Sequence, residues 1–291
     1  VIQSRARVID GKALAASRRE QIAARAGACC ARGLRPRLDA VLVDAGDNAA
    51  RVYAENQART CEAVGIGYRL HELRAGAGQG EIVAAVEGLN ADEAVHAMMV
   101  HMPLPEGVDG YLVKERIKLR KDAENVTAAN MGDVVFGRSL RAPCTALAAM
   151  RVIESTGVEL RGKRCVVVGS GPIVGRPISV LLMAREATVV SCNEWTWGIK
   201  ELCRSADVLV SAAGVAGLIT AEMVKPGALV VDVAINRVVG EDGVRRTVGD
   251  CVFEEVSRVA GWVTPVPGGV GPMTVAVLLE NVVGAAERLV G

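Results

Sequence analysis

An α/β fold in two domains is predicted by two successive series of strand-like and helix-like segments, and by a chain almost free of aromatic side chains. Short apolar runs alternate with longer amphipathic stretches, first as far as Met102 and again from Cys165. The strand runs are continuously apolar, as parallel strands covered on both faces require. Aromatics make up 3% of the 291 residues. Aliphatic residues dominate, which suits a sheet stacked against Ala-, Leu- and Val-rich helices. The length suffices for two ordinary domains, each with its own core.

The elements follow in order. Residues 6–9 read as an opening strand and 11–28 as an amphipathic helix. Residues 36–43 form a buried strand that ends in the turn Asp44-Ala45-Gly46-Asp47-Asn48. A helix over 49–64 stops at Gly65, where a helix ends readily. A strand at 66–73, a helix at 80–90 and a strand at 97–102 complete the first series, halted by Pro103 and Pro105. Residues 109–141 are more charged and less regular, with one short helix. A helix runs from Cys144 to about Gly157. The second series comprises strand 165–168, helix 174–184, strand 188–192, helix 197–205, strand 208–212 and, after Lys225-Pro226-Gly227, strand 228–233. The last helix, 274–289, is expected to return to the first domain. The predicted boundaries are 1–145 plus 271–291 for one domain and 146–270 for the other.

Composition excludes several classes of function. Lys plus Arg number 34 against 33 Asp plus Glu, so no basic footprint marks a nucleic acid or an anionic membrane as partner. No apolar run is long enough to span a bilayer. The opening VIQSRARVIDGK lacks the apolar core of a signal peptide, so the cytoplasm is the expected compartment. The eight cysteines form no CxxC pair, and His71, His96 and His101 lack ligand spacing; neither a disulfide nor a metal site is expected.

Three segments carry chemistry. Thr264-Pro-Val-Pro-Gly-Gly-Val-Gly-Pro-Met-Thr274 has three prolines and three glycines, which suits a stiff loop whose bare backbone meets a flat ligand. Cys165-Val-Val-Val168 leads into Gly169-Ser-Gly171-Pro-Ile-Val-Gly175-Arg-Pro177. That strand, glycine turn and helix start form a pyrophosphate site, where backbone N–H groups face the anion and a side chain would intrude. The second strand of this series ends near Glu194, where a carboxylate accepts hydrogen bonds from ribose hydroxyls and repels a 2′-phosphate. NAD is therefore favoured over NADP, with Arg176 the residue that would still hold a phosphate group. The third segment is Val100-His-Met-Pro-Leu-Pro105.

Together these segments resemble the methylenetetrahydrofolate dehydrogenase/cyclohydrolase family, over nearly the whole chain. The resemblance implies an N-terminal α/β folate-type domain, a Rossmann-like NAD(P) domain, hydride transfer between the two ligands and a homodimer. It places Tyr53, Met102, Pro103, Glu124, Pro267, Gly268 and Gly269 at a tetrahydrofolate derivative. Gly169, Ser170, Gly171, Ile173, Val174, Gly175 and Arg176 fall at the dinucleotide, with Glu194, Ala213, Gly214, Ile235 and Thr274. Its catalytic positions are Tyr53, Gln57, His101 and Glu124.

At these positions the chain departs from the pattern. The family's YxxxK motif reads Tyr53-Ala-Glu-Asn-Gln57, so a glutamine that carries neither charge nor proton stands for the lysine. His101 replaces a glutamine and brings a side chain that titrates near neutrality. The family's KDVDG reads Lys121-Asp-Ala-Glu-Asn125, which lengthens the folate-binding acid by one methylene and removes a glycine. A shifted local turn is expected there. Glu55, two residues from Gln57, points elsewhere on the helix. The scaffold motifs, including Asp232, Asn236, Gly249 and Asp250, survive. This pattern implies a bound folate and altered chemistry: a dehydrogenase without cyclohydrolase activity, an enzyme that passes the one-carbon unit to another acceptor, or a silent binding homologue.

Overall fold

The structure, a computed structural model, describes residues 5–43, 48–138, 141–240 and 242–290. The turn expected before Asn48 lies largely outside them. The chain divides into two compact units. One draws on Ser17–Gly132 and the segment from Leu278; the other draws on the segment up to Ala16 and on Asp133–Val277.

In the first of these units, strands β2 (Arg37–Val43), β3 (Gly67–Leu73) and β4 (Ala97–Val100) form a parallel sheet in the order β3-β2-β4. The sequence alternates them with helices α2 (Asn48–Ala63) and α3 (Gln79–Ala91), as parallel crossovers demand. Val41, Val43 and Val100 pack with Ile82 and Val86 of α3 in one core. A short helix α4 (Gly110–Glu115), a 3-10 turn (Leu119–Lys121) and α5 (Ala128–Val135) follow. Buried Lys121 donates from Nζ to the carbonyls of Leu89, Asn90 and Asp92 at 2.9, 3.0 and 2.6 Å. A cation there answers the unpaired carbonyls and the dipole at the end of α3.

In the other unit six parallel strands take the order β1-β11-β8-β7-β5-β6. They are β1 (Arg7–Val8), β5 (Arg164–Val168), β6 (Thr188–Cys192), β7 (Val208–Ser211), β8 (Leu229–Asp232) and β11 (Trp262–Val263). Helices α6 (Cys144–Glu154), α7 (Gly175–Met183), α8 (Ile199–Arg204) and α9 (Phe253–Val256) connect or follow them. The opening strand does not join the first strand series, as its place in the chain suggested. It pairs with β11, Arg7 beside Trp262 and Val8 beside Val263. An antiparallel hairpin, β9 (Asn236–Val239) and β10 (Arg245–Val248), was not expected from the sequence.

The last helix, α10 (Val270–Val290), begins inside the Pro/Gly segment, earlier than predicted. Pro272 is tolerated because the N–H groups of a first helical turn have no partner within the helix. Further along, Glu280 and Glu287 meet the long first helix, α1 (Gly11–Ala31). Arg25 binds Glu287 at 2.7 Å and Glu280 at 3.3 Å, and Arg18 reaches Glu280 at 3.4 Å. The C-terminal helix thus returns to the N-terminal one, as predicted. Among the described residues, no helix is long and apolar enough to cross a membrane.

Candidate active site

The glycine turn joins β5 to α7. Gly169 has φ +96°, and a side chain there would run into the backbone at Ala212. A Cβ on Gly175 would fall on the carbonyl oxygen of Gly169, so this glycine permits the helix to start against the strand. Gly171 differs: a Cβ there meets nothing within 4 Å. Two glycines are therefore demanded by packing, while the middle one faces open space, the arrangement that fits a pyrophosphate at the helix start. Arg176 donates from Nε to the Ser170 carbonyl at 2.9 Å, and Ile173 and Arg176 are exposed.

Ala213 and Gly214 follow β7, beside this turn, and their loop is pinned by one buried carboxylate. Asp250 accepts from the backbone N–H groups of Ala213, Gly214 and Val215 at 2.8, 3.2 and 2.8 Å. The Ser211 hydroxyl and the Asn236 amide add bonds of 2.8 and 3.0 Å. Asp232 in turn accepts from the backbone N–H groups of Asp250 and Cys251. Burial raises the Asp232 carboxyl above its usual range, against the pull of those two donors. The surviving Asp232, Asn236, Gly249 and Asp250 thus form the frame of a loop that bears two predicted cofactor residues.

Ile235 meets the Pro/Gly segment around a cavity of about 160 Å³. Pro267, Gly268 and Gly269 line it, with Lys12 and Asp232. The Val266–Pro267 peptide is cis, and Gly268 has φ +110°. A side chain at Gly11 would overlap the Gly269 carbonyl, so the start of α1 is held against this loop by a glycine. Thr274 stands apart from the cavity lining; its hydroxyl donates to the Val270 carbonyl at 3.3 Å within α10.

The predicted folate-side and catalytic residues Tyr53, Gln57, His101, Met102, Pro103 and Glu124 belong to the other unit. Tyr53 and Gln57 lie on α2, and His101 follows β4. Tyr53 is half exposed and meets the His101 ring edge-on, with centroids 5.7 Å apart. His101 is buried and its Nε2 lies 3.3 Å from the Tyr68 hydroxyl. Burial lowers the His101 pKa, favouring the neutral ring, and raises that of Tyr68. Gln57 is buried, with its amide 3.2 Å from Met99 Sδ and its carbonyl oxygen without a hydrogen-bond partner among the described residues. Met102 and Pro103 are exposed and joined by a cis peptide. Glu55 points out to Arg59 at 3.7 Å, away from Gln57.

Glu124 sits on a turn tied to β4 by the bond from Ala123 N–H to the Met98 carbonyl, 3.1 Å. Burial raises its carboxyl, opposed by Lys114 at 3.7 Å. Asp122 organises the turn by accepting from the backbone of Glu124 and Thr127 and from the Asn130 amide, at 3.2, 2.9 and 2.9 Å. Asn125 has φ +56°, a left-handed conformation that glycine adopts freely and asparagine tolerates. An asparagine thus holds a left-handed turn at the position where the resemblance places a glycine. Tyr68, Lys114 and Met99 escaped the sequence reading because their proximity to the site depends on strand register and on the path of an irregular segment.

Residues 9–124 match the catalytic domain of the tetrahydrofolate dehydrogenase/cyclohydrolase family, and residues 143–290 match its NAD(P)-binding domain. The chain belongs to this family. The bifunctional protein FolD of Moorella thermoacetica is 43% identical over 283 residues, covering 97% of this chain and 99% of that protein. The crystal structure of the bifunctional enzyme FolD from Campylobacter jejuni superposes with a TM-score of 0.93 at 37% identity, covering 97% of this chain and 99% of that one. A Trypanosoma brucei FolD complexed with NADP cofactor and inhibitor gives a TM-score of 0.93 at 35% identity, covering 99% of both chains. As a member of the family, the chain is an NAD(P)-dependent oxidoreductase of tetrahydrofolate one-carbon metabolism. The glycine turn, the Asp250-pinned loop and exposed Glu194, two residues after β6, all lie within the part that matches the NAD(P)-binding domain.

Proposed function

We propose that the chain oxidises methylenetetrahydrofolate with NAD in preference to NADP, and that it has lost methenyltetrahydrofolate cyclohydrolase activity. The observation that carries this reading is the buried amide of Gln57 at the position where the resemblance places the family's lysine. Oxidation of the methylene carbon moves a hydride and no proton, so a neutral pocket that orients the folate suffices. A bound nicotinamide cofactor supplies the hydride acceptor. Hydrolysis of the methenyl cation instead adds water and must remove a proton from it, a step that needs a base or an activating charge. Gln57 supplies neither, and the Tyr68 hydroxyl already occupies His101 Nε2.

In this reading the folate ring system lies along Tyr53, with Glu124 accepting hydrogen bonds from its amino-pyrimidine edge. Residues 1–145 with 271–291, apart from the opening strand that pairs with β11, form the folate domain and 146–270 the dinucleotide domain of a homodimer. Absorbance assays test the reaction. Reduced nicotinamide should appear on mixing methylenetetrahydrofolate with NAD, while methenyltetrahydrofolate should decay at its spontaneous rate. Assistance of this kind contributes about 10²–10⁴-fold, so enzyme-dependent hydrolysis is readily seen and would overturn the proposal.

A further inference from the structure

Two of the three tryptophans stand almost bare on one short loop. Trp195 is 79% exposed and Trp197 95% exposed, in a chain with only two phenylalanines and three tyrosines. An indole is a large apolar surface that folding usually hides. This loop lies at the carboxyl end of β6, and the Gly169 N–H that begins the glycine turn donates to the Cys192 carbonyl at 2.9 Å. The exposed indoles therefore start one strand away from the pyrophosphate turn. In a sheet of this topology a dinucleotide enters between β5 and β7, where the strand order reverses, and its adenosine half extends over the neighbouring strand, here β6.

The loop is also stiffened locally. Trp195 N–H donates to the Asn193 side chain at 3.0 Å, Asn193 N–H to the Thr196 hydroxyl at 2.9 Å, and Thr196 N–H to the Asn193 carbonyl at 3.1 Å. Residues 193–196 thus form a closed turn with Glu194 and Trp195 at its apex, both exposed. Trp197 lies outside that hydrogen-bonded ring, next to Gly198. A carboxylate and an aromatic ring held side by side match a ribose diol and the base attached to it, and an aromatic face accepts any base without hydrogen-bond readout.

We propose that Trp195 is the stacking platform for the adenine ring of the bound dinucleotide, beside Glu194 on the ribose. The proposal rests on the dinucleotide reading above. It makes Trp195 a determinant of cofactor affinity, separate from the choice between NAD and NADP that Glu194 governs.

Calorimetric titrations with NAD and with AMP, which carries the adenine and ribose without nicotinamide, test it on the full chain and its W195A, W195F and W197A variants. Base–aromatic stacking predicts that W195A weakens both ligands about five- to hundredfold, whereas W195F retains most of the affinity and W197A binds like the parent. Indole fluorescence should be quenched by AMP in the parent and in W197A, and the quenching should vanish in W195F. Because Trp195 is exposed, the melting temperature of W195A should equal that of the parent. Parent-like NAD and AMP binding by W195A overturns the proposal while leaving the cofactor reading intact, as does a loss confined to W197A. Failure of the parent to bind either nicotinamide dinucleotide overturns both.

Discussion

The side-chain amide of Gln57 reaches Met99 Sδ at 3.2 Å and leaves its carbonyl oxygen buried with no hydrogen-bond partner among the described residues. A buried acceptor without a donor costs about 1–3 kcal/mol, whereas an apolar side chain of the same shape does not. Gln57→Met should therefore raise stability by about 1 kcal/mol, read as a higher midpoint in urea with an unchanged slope. If the orphan oxygen meets a donor on the folate, the same variant binds tetrahydrofolate more weakly. An unchanged or lower midpoint would show that the cost is relieved within the free protein.

Glu194 supplies a second prediction. Its exposure means that solvent and salt screen its repulsion of a 2′-phosphate, so the preference for NAD should be about five- to tenfold at low ionic strength and should shrink as salt is added. Glu194→Ser should bring the two dissociation constants together. Equal affinities in the unmodified protein would remove the argument.

Acid should destabilise the fold through His101. Burial holds its folded pKa below the ordinary 6.5, so the unfolded chain binds this proton more readily than the native state does. The contribution is complete above the unfolded pKa and is lost as pH falls from there towards the lowered folded pKa. His101→Gln should flatten the stability profile in that window and leave the slope above it unchanged. A denaturation series at stepped pH measures this, and an identical slope in both proteins would assign the effect to other groups, His96 among them.

Gly249→Ala tests the frame behind the cofactor loop. Its new methyl group would collide with the Asp232 carboxylate, which holds the backbone N–H groups of Asp250 and Cys251. Overpacking of this kind costs about 1–3 kcal/mol. A shift in Asp250 would also release Ala213 and Gly214, so dinucleotide affinity should fall more than folate affinity. Parallel calorimetric titrations distinguish that selective loss from general unfolding.

Much of this architecture was legible in local pattern. β6 spans the expected 188–192, and the helix after the glycine turn differs from expectation by one residue at each end. The misplaced pieces are those whose partners are remote. β11 has two residues, too few for a period, and β1 takes its sheet from pairing with it across most of the chain. At the site, the changed residues could be read from the motifs, but their partners could not. Tyr68 meets His101 through strand register, and Asn125 adopts a left-handed conformation that its residue type alone does not demand.

The division of α1 and α10 between the two units bears on how the protein is made. Each helix begins in one unit and ends in the other, so neither unit is a single stretch of chain. A ribosome that has completed Gly132 has supplied the sheet of the first strand series but not the segment from Leu278 that carries Glu280 and Glu287, the partners of Arg18 and Arg25. That unit must await the segment from Leu278, which follows all of the other in the chain. A single cleavage of the chain releases neither half intact.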